Sequence, residues 1–531
     1  MVDLNSTKDR NRSPSPDGQA ATPDETDVDR LGRSRPEAFS NTIMEVGFVT
    51  SVLVSNLLSE YLTSGFNVLL PALLNEIDIA PENRTWPTNI YTLVVGAFLL
   101  PFGRLADMYG GNIVFFAGLA WAMVWTLIGG FSNGFAMLLA TRALQGLGIA
   151  AVLPSGIALL GNTYRPGPRK NLIFSLYGGC APFGFFAGIF FAGLSAEVLT
   201  WGWWFWIACL LFAVIMVLSL ACIPRRLDFR PDVKMDWIGC ATIIPALFLL
   251  VYAITDSARA GWASARILAP FLIGLALLGV FVYVEGWLAK DPLLPDSTFE
   301  AKGTAVLFLQ LFIAYGSFGI YIFYASFYIE TVLDVPPFLT AFYFAPLAVG
   351  GITIALAGRF VLHRLSGTIL LFIASLGFIA SLLLFALIPS HDPNYWAWIF
   401  PAMVCTTIGV DISYNVSNIF ITTSVSHSLQ GVAGACVNGL VFLGMAFFLG
   451  WADLVVAYTS VENETPKYKY AFWLGVGAAG AAFIIAVLGV RVDTAQSDLT
   501  ADEKTQLRKQ QVDLESRGVF EGRLSEANTN Q

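Results

Sequence analysis

Fourteen apolar stretches follow one another between residues 46 and 490, and each has roughly the length a helix needs to cross a bilayer. They run over 46–74, 88–102, 112–130, 135–161, 171–193, 203–223, 236–255, 265–288, 304–329, 338–361, 366–388, 395–424, 431–458 and 470–490. The spacing predicts an all-α polytopic membrane protein. Pro71, Pro154, Pro182, Pro245, Pro346 and Pro401 fall inside these runs. Proline is tolerated there because neighbouring helices can satisfy the freed backbone groups.

Only 13% of the chain is charged, about half the share of a soluble protein. With 42 Phe and 14 Trp, the composition implies a surface facing lipid. The net charge of −8 says little about partners, because Lys/Arg placement rather than the sum sets membrane orientation. No basic patch is interleaved with aromatics, so nucleic acid is not an expected partner. The six cysteines all sit in apolar runs, without Cys-x-x-Cys pairing or a His at ligand spacing. They read as small packing residues, and no cofactor or metal is expected. His363, His391 and His427 lie scattered at span ends, and no nucleophile–base pair stands out, so the chain does not read as an enzyme.

Residues 1–45 are hydrophilic and cannot bury a core, which predicts a disordered tail. Ser13-Pro14, Ser15-Pro16 and Thr22-Pro23 have the form of proline-directed phosphorylation sites. No compact basic-then-apolar pattern opens the chain, so the first span serves as the signal. The tail 491–531 is charged and is expected to open with a helix over 500–516 on the cytoplasmic side. Counting Lys and Arg by segment, with both termini inside, gives twenty-four inside and five outside. That asymmetry predicts cytoplasmic termini. The sequons at Asn83 and Asn463 then fall in outer loops, where glycosylation is feasible.

The segment Gly103-Arg104-Leu105-Ala106-Asp107-Met108-Tyr109-Gly110-Gly111 joins the second and third spans. It reads as a tight turn, with its glycines permitting the bends. It resembles the signature loop of the major facilitator superfamily, Gly-x-Leu-Ala-Asp-Arg-x-Gly-Arg. That resemblance implies a secondary transporter with two six-helix bundles around a midplane cavity, and fourteen spans imply two extra central helices. The expected organisation is a tail over 1–45, a first bundle over 46–223 and a linker with the extra helices over 224–303. A second bundle over 304–490 and the tail 491–531 complete it. Carried over from the family, Gly103, Arg104, Asp107 and Gly110 would gate the outward-open state. Met108 and Gly111 replace two of the family's basic positions, which implies a weaker latch. Gly358-Arg359-Phe360 through Arg364 looks like a degraded second copy.

Leu138 through Gly148, with Arg142 and Gln145, resembles the family's fourth-span pattern Leu-x-x-x-Arg-x-x-Gln-Gly-x-Gly. A cation within a spanning helix is costly, so Arg142 is expected to face a cavity or an acid. In relatives it tunes a first-span carboxylate. Here Leu62 occupies that acid's position, and Glu60 is the substitute, on a different face of the helix. Gly178 through Gly188, around Pro182, resembles the antiporter motif of the fifth span, with Phe185 and Phe186 replacing glycines.

In the twelfth run Asp411, Asn415 and Asn418 share one helical face at i, i+4 and i+7. A polar stripe in a spanning helix lines a wet cavity more readily than it faces lipid. Asn67, Asn438, Tyr321 and Tyr324 are further candidates for the cavity, beside Gln145 and Pro182. Asp453 reads as a boundary residue. Residues 395–435 look like a fungal branch of the fourteen-span drug:proton antiporters, one that includes aminotriazole-resistance-type pumps and low-affinity ammonium transporters.

These features together predict a proton-coupled exporter of small organic compounds, with Glu60, Arg142 and Asp411 in proton coupling. The expected partners are the lipid bilayer, protons and a small-molecule substrate. The expected state is a monomer in the plasma membrane, with the vacuolar membrane as alternative. The alternatives are a facilitator for ammonium or borate and a membrane sensor without flux.

Overall fold

The computed structural model describes residues 35–164, 168–224, 234–299, 303–361, 364–390, 393–425, 430–459 and 464–491. Helices form where the apolar runs lie, and fourteen among the described residues are long and apolar enough to span. They are α1 (Thr42–Ile77), α2 (Trp86–Tyr109), α3 (Gly111–Gly129), α4 (Phe135–Thr163), α5 (Pro168–Glu197), α6 (Gly202–Cys222) and α7 (Trp237–Ala260). There follow α8 (Ala265–Tyr283), α9 (Thr304–Phe327), the two-part α10 (Pro337–Tyr343 and Ala345–Val361), α11 (Gly367–Leu387), α12 (Ile399–Ser424), α13 (Gln430–Tyr458) and α14 (Glu464–Gly489). Short connections make successive helices antiparallel. Odd-numbered helices therefore start at the face holding both chain tails, called the tail face, and even-numbered ones start at the far face.

Helices α1–α6 form one bundle and α9–α14 the other. The bundles meet along α2–α13 and α5–α10. Helix α7 lies against both α2 and α13, and α8 packs on α7. The extra pair thus covers one seam, where Leu93, Val251 and Ala446 share a small core and Asn89 Nδ2 donates to Thr255 Oγ1 at 2.9 Å.

Helix α1 approaches α5 closely. A Cβ added at Gly65 would lie 2.2 Å from the Gly188 carbonyl oxygen, and one at Gly184 would lie 2.4 Å from that of Leu57. Glycine is the residue that permits such backbone contact. Gly184 and Gly188 keep this function although Phe185 and Phe186 lie between them.

Several sequence-based boundaries require correction. The segment Gly103–Tyr109 is not a loop, since α2 continues through it and turns only at Gly110, with φ 95°. Leu105, Ala106 and Met108 are good helix formers, and Leu105 and Met108 pack against a cluster built on Met235, Cys240, Phe281 and Leu293. Tertiary contact thus carries the helix across its polar residues. Helix α10 breaks at Phe344, because Pro346 has no N–H for a bond to Phe342. Residues 395–398 form a turn before α12, and α14 starts at Glu464 rather than 470. The side chains of the expected second signature copy at 358–363, the segment 500–516 and Asn463 lie outside the described residues.

Candidate substrate cleft between the bundles

Glu60 on α1 and Asp411 on α12 come from opposite bundles and lie within electrostatic reach of each other. Both are half-buried in mid-helix. Among the described residues neither forms an ion pair. Partial exposure of two acids in the middle of spans marks a cleft between the bundles.

Asp411 is held where three helices meet. A Cβ at Gly351 of α10 would fall 2.6 Å from Pro182 Cβ of α5 and 3.0 Å from Asp411 Oδ2. Tyr315 of α9 donates its hydroxyl to the Val410 carbonyl at 3.0 Å, one residue before Asp411. Tyr414 donates to Asn438 Oδ1 at 3.1 Å, and Asn438 Nδ2 donates to the Gly434 carbonyl at 2.9 Å. Tyr177 and Tyr414 both lie close enough to Glu60 to sense its charge. Asn415 Oδ1 stands 3.9 Å from a Cβ position on Gly178, and Asn418 is half-buried one turn farther on. Two acids thus gather with tyrosines and amide side chains from both bundles.

The two halves of the bundle interface differ. On α5, Leu172, Ser175 and Leu176 are exposed, and residues 178–182 are half-buried. The far half is sealed instead. Arg84 Nη1 donates to Tyr468 OH at 3.1 Å, and Thr85 Oγ1 donates to Asp453 Oδ2 at 3.0 Å. The Phe338 N–H of α10 donates to Glu197 Oε2 of α5 at 2.9 Å. Phe190 of α5 packs against Phe338 and Phe342. Asp453, expected at a boundary, is 3% exposed and bonded.

Among the described residues Arg142 meets no acid and lines no cavity, contrary to expectation. It is fully buried. Its guanidinium carbon lies 4.2 Å from the ring centres of both Phe66 and Tyr91. It donates to the carbonyls of Pro87 and Leu62 at 3.4 and 3.2 Å, and to Gln145 Oε1 at 3.1 Å. Where the family carries a carboxylate, Arg142 thus reaches the Leu62 backbone. A weakly hydrated planar cation is suited to such a box of ring faces and carbonyls. Tyr91 packs against Arg142 and lies within electrostatic reach of Glu60.

The remaining sequence candidates are dispersed. Gln145 also donates to Thr126 Oγ1 at 3.1 Å, inside the first bundle. Tyr321 donates to Met403 Sδ at 3.1 Å, inside the second. These two lie within bundle interiors rather than in the cleft, because their partners there satisfy their polar atoms. Tyr324 is buried beside Tyr468 in the far seal. Asn67 is buried on α1 beyond Glu60. Of the gating candidates, Gly103 abuts Ala435 of α13 and Arg104 donates to the Pro292 carbonyl beyond α8. Asp107 is half-buried one turn later, and Gly110 makes the turn. Asn83 sits partly buried in a short turn at the far face. The sequence reading missed Tyr91 and Tyr177, whose signal was a tyrosine within an apolar span. At the tail face Tyr164 and Arg169 both donate to Glu45 Oε1, at 2.9 and 2.8 Å. Burial and the Glu45 carboxylate push the Tyr164 hydroxyl above its usual range, and the hydrogen bond to Glu45 raises that of Arg169.

Two bundles, a seam-covering pair and a central cleft with acids from both sides define a polytopic membrane transporter fold. The chain belongs to the major facilitator superfamily, whose family model matches residues 52–449. It is 30% identical to the efflux pump terJ of Aspergillus terreus, over 86% of this chain and 89% of the relative. It is 33% identical to the low affinity ammonium transporter of Saccharomyces cerevisiae, over 76% of this chain and 80% of the relative. It is 30% identical to the aminotriazole resistance protein of the same yeast, over 85% of each. Among solved structures, the human organic anion transporter MFSD10 superposes with a TM-score of 0.58 at 15% identity, covering 83% of this chain and 99% of that one. An auto-inhibited POT family peptide transporter gives 0.61 at 13% identity, covering 85% and 98%. These relatives and neighbours are transporters rather than enzymes.

Proposed function

We propose that the chain is a proton-coupled exporter of small organic compounds that works by alternating access, with both tails in the cytoplasm. The observation that carries this reading is the pair Glu60 and Asp411, one from each bundle, sharing a half-buried cleft. A proton on such an acid changes the charge that the cleft holds, and an arriving solute competes with it. Binding that differs between the two access states is what shifts their populations. The conformation described corresponds to the cytoplasm-open state, ready to load. The aromatic wall of Tyr177, Tyr315 and Tyr414 suits organic solutes, and the efflux and aminotriazole-resistance relatives agree with that class. The uneven placement of Lys and Arg supports cytoplasmic tails, and the plasma membrane is the expected location. The protein is expected to act as a monomer. Residues 1–45, 46–223, 224–303, 304–490 and 491–531 serve in this scheme as tail, bundle, linker, bundle and tail.

The ammonium transporter relative favours a second reading, a facilitator for a small polar species. Flux into proteoliposomes under an imposed pH gradient separates the two. For the exporter, Glu60→Gln and Asp411→Asn should each reduce gradient-driven flux more than tenfold while solute exchange without a gradient persists. Gradient-independent flux, with both variants fully active, would sink the coupling and favour the facilitator.

A further inference from the structure

Asp453 of α13 lies outside the cleft, within the far seal, and is 3% exposed. It accepts from Thr85 Oγ1 at 3.0 Å. Among the described residues it has no second donor and forms no ion pair. Thr85 opens α2, so this bond joins the two bundles. Arg84, the residue before it, is within electrostatic reach of Asp453. The Arg84 guanidinium is set on the second bundle. Its Nη1 donates to Tyr468 OH at 3.1 Å, and its carbon lies 5.2 and 5.8 Å from the ring centres of Tyr468 and Phe327.

The other titratable groups on the packed elements are engaged elsewhere or lie at the rim. Tyr324 of α9 is buried within reach of both Asp453 and Arg84, and Glu330 lies in the turn that ends α9. Glu82, before α2, is exposed. On α14, Lys467 is partly exposed and Lys469 donates to the Ile388 carbonyl at 2.6 Å. On α7, Asp256 is paired with Arg259 and Arg266.

An exposed carboxylate is hydrated on both oxygens. In the closed seal Asp453 keeps one neutral hydroxyl donor, and Arg84 offsets the charge only from a distance. Burying a charge so sparsely bonded is costly. A proton on Asp453 removes that cost and leaves a carboxyl oxygen to accept from Thr85. When the bundles part at the far face, Thr85 and Arg84 leave with the first bundle and water replaces them.

We propose that Asp453 is a gating acid, which takes a proton from far-side water as the far face closes and returns it as that face opens. One O–H bond forms at the carboxylate and one breaks in the hydronium that supplies the proton. The closed face is then the state that binds the extra proton. Closure therefore strengthens as far-side pH falls and weakens as it rises. For an exporter, an acidic far side would favour return of the emptied carrier to the tail-open state. The proposal rests on the transport reading above and adds to Glu60 and Asp411 a proton that is not carried across.

The test uses the full chain in lipid nanodiscs with Glu60→Gln and Asp411→Asn, so that the cleft acids do not titrate. A water-soluble diazirine is photolysed, and carbene insertion is read at Thr85 and Tyr468, both buried in the closed face, relative to exposed Trp396. Insertion should fall about tenfold between about pH 8 and pH 5. Adding Asp453→Asn should abolish the pH response and hold insertion at its low acid level, whereas Arg84→Lys should keep the response. If Asp453→Asn fails to fold, Thr85→Val takes its place. Loss of the one donor should move the midpoint of the response to higher pH, and an unmoved midpoint overturns the proposal. So does a pH response that survives Asp453→Asn, or one that is absent before it is added. Proton-driven flux in a chain whose far-face insertion ignores pH overturns the gating acid and leaves the transport reading standing. The full insertion response in a chain that moves no solute supports the gating acid and overturns the transport reading.

Discussion

The two halves of the molecule along the membrane normal are built differently. The far half is closed by hydrogen bonds and rings between segments 141 to 384 residues apart, such as Glu197–Phe338 and Arg84–Tyr468. The tail half leaves side chains of α5 and α12 half-buried around the two acids. The difference teaches where the energy of each access state resides. Each of these bonds has an Arg, Asp or Glu as one partner and contributes roughly 1.5–3 kcal/mol, so a few far-face contacts suffice to hold one state over the other and still release it.

A wedge in the far seal should produce the largest change. A Cβ at Gly193 would lie 2.5 Å from the Pro337 carbonyl oxygen, so Gly193→Leu cannot coexist with the closed far face. Spin-label distances across that face should lengthen, and the tail-face distances should shorten. Unchanged far-face distances in a folded Gly193→Leu protein would refute the assigned conformation. Next comes Arg142, which belongs to the bundle rather than to either gate. Arg142→Lys keeps the charge and loses the planar fork. It should destabilise the detergent-solubilised protein by about 2 kcal/mol without altering the sidedness of thiol labelling.

A smaller effect is expected at the single far-face bond between Thr85 and Asp453. Thr85→Val should weaken the seal by about 1.5 kcal/mol, seen as a roughly tenfold rise in far-side labelling. The smallest change should follow Arg104→Gln, which removes the bond to Pro292 that ties α2 to the segment beyond α8. The melting temperature should fall by a few degrees, an effect of about 1 kcal/mol. A large loss of flux would instead give Arg104 a direct part in gating.

Much of this was legible in the chain. The apolar runs located every span because bilayer thickness fixes helix length. The shared face of Asp411, Asn415 and Asn418 was legible because helical periodicity places those positions together, and all three are half-buried. Glu60 was legible as a carboxylate deep in an apolar run. The surroundings of Arg142 were not, since Phe66, Tyr91 and the Pro87 carbonyl reach it from other helices. The signature segment was misread as a loop because its helical state depends on packing against Met235 and Leu293.

The sequence by itself determined the membrane class, the number of spans, the family and the polar face of α12. These follow from composition and from periodicities within single helices. Only the tertiary structure decided that Glu60 and Asp411 come together, that Arg142 is boxed by rings, and which face is sealed. Those depend on contacts between residues far apart in the chain, which no local pattern encodes.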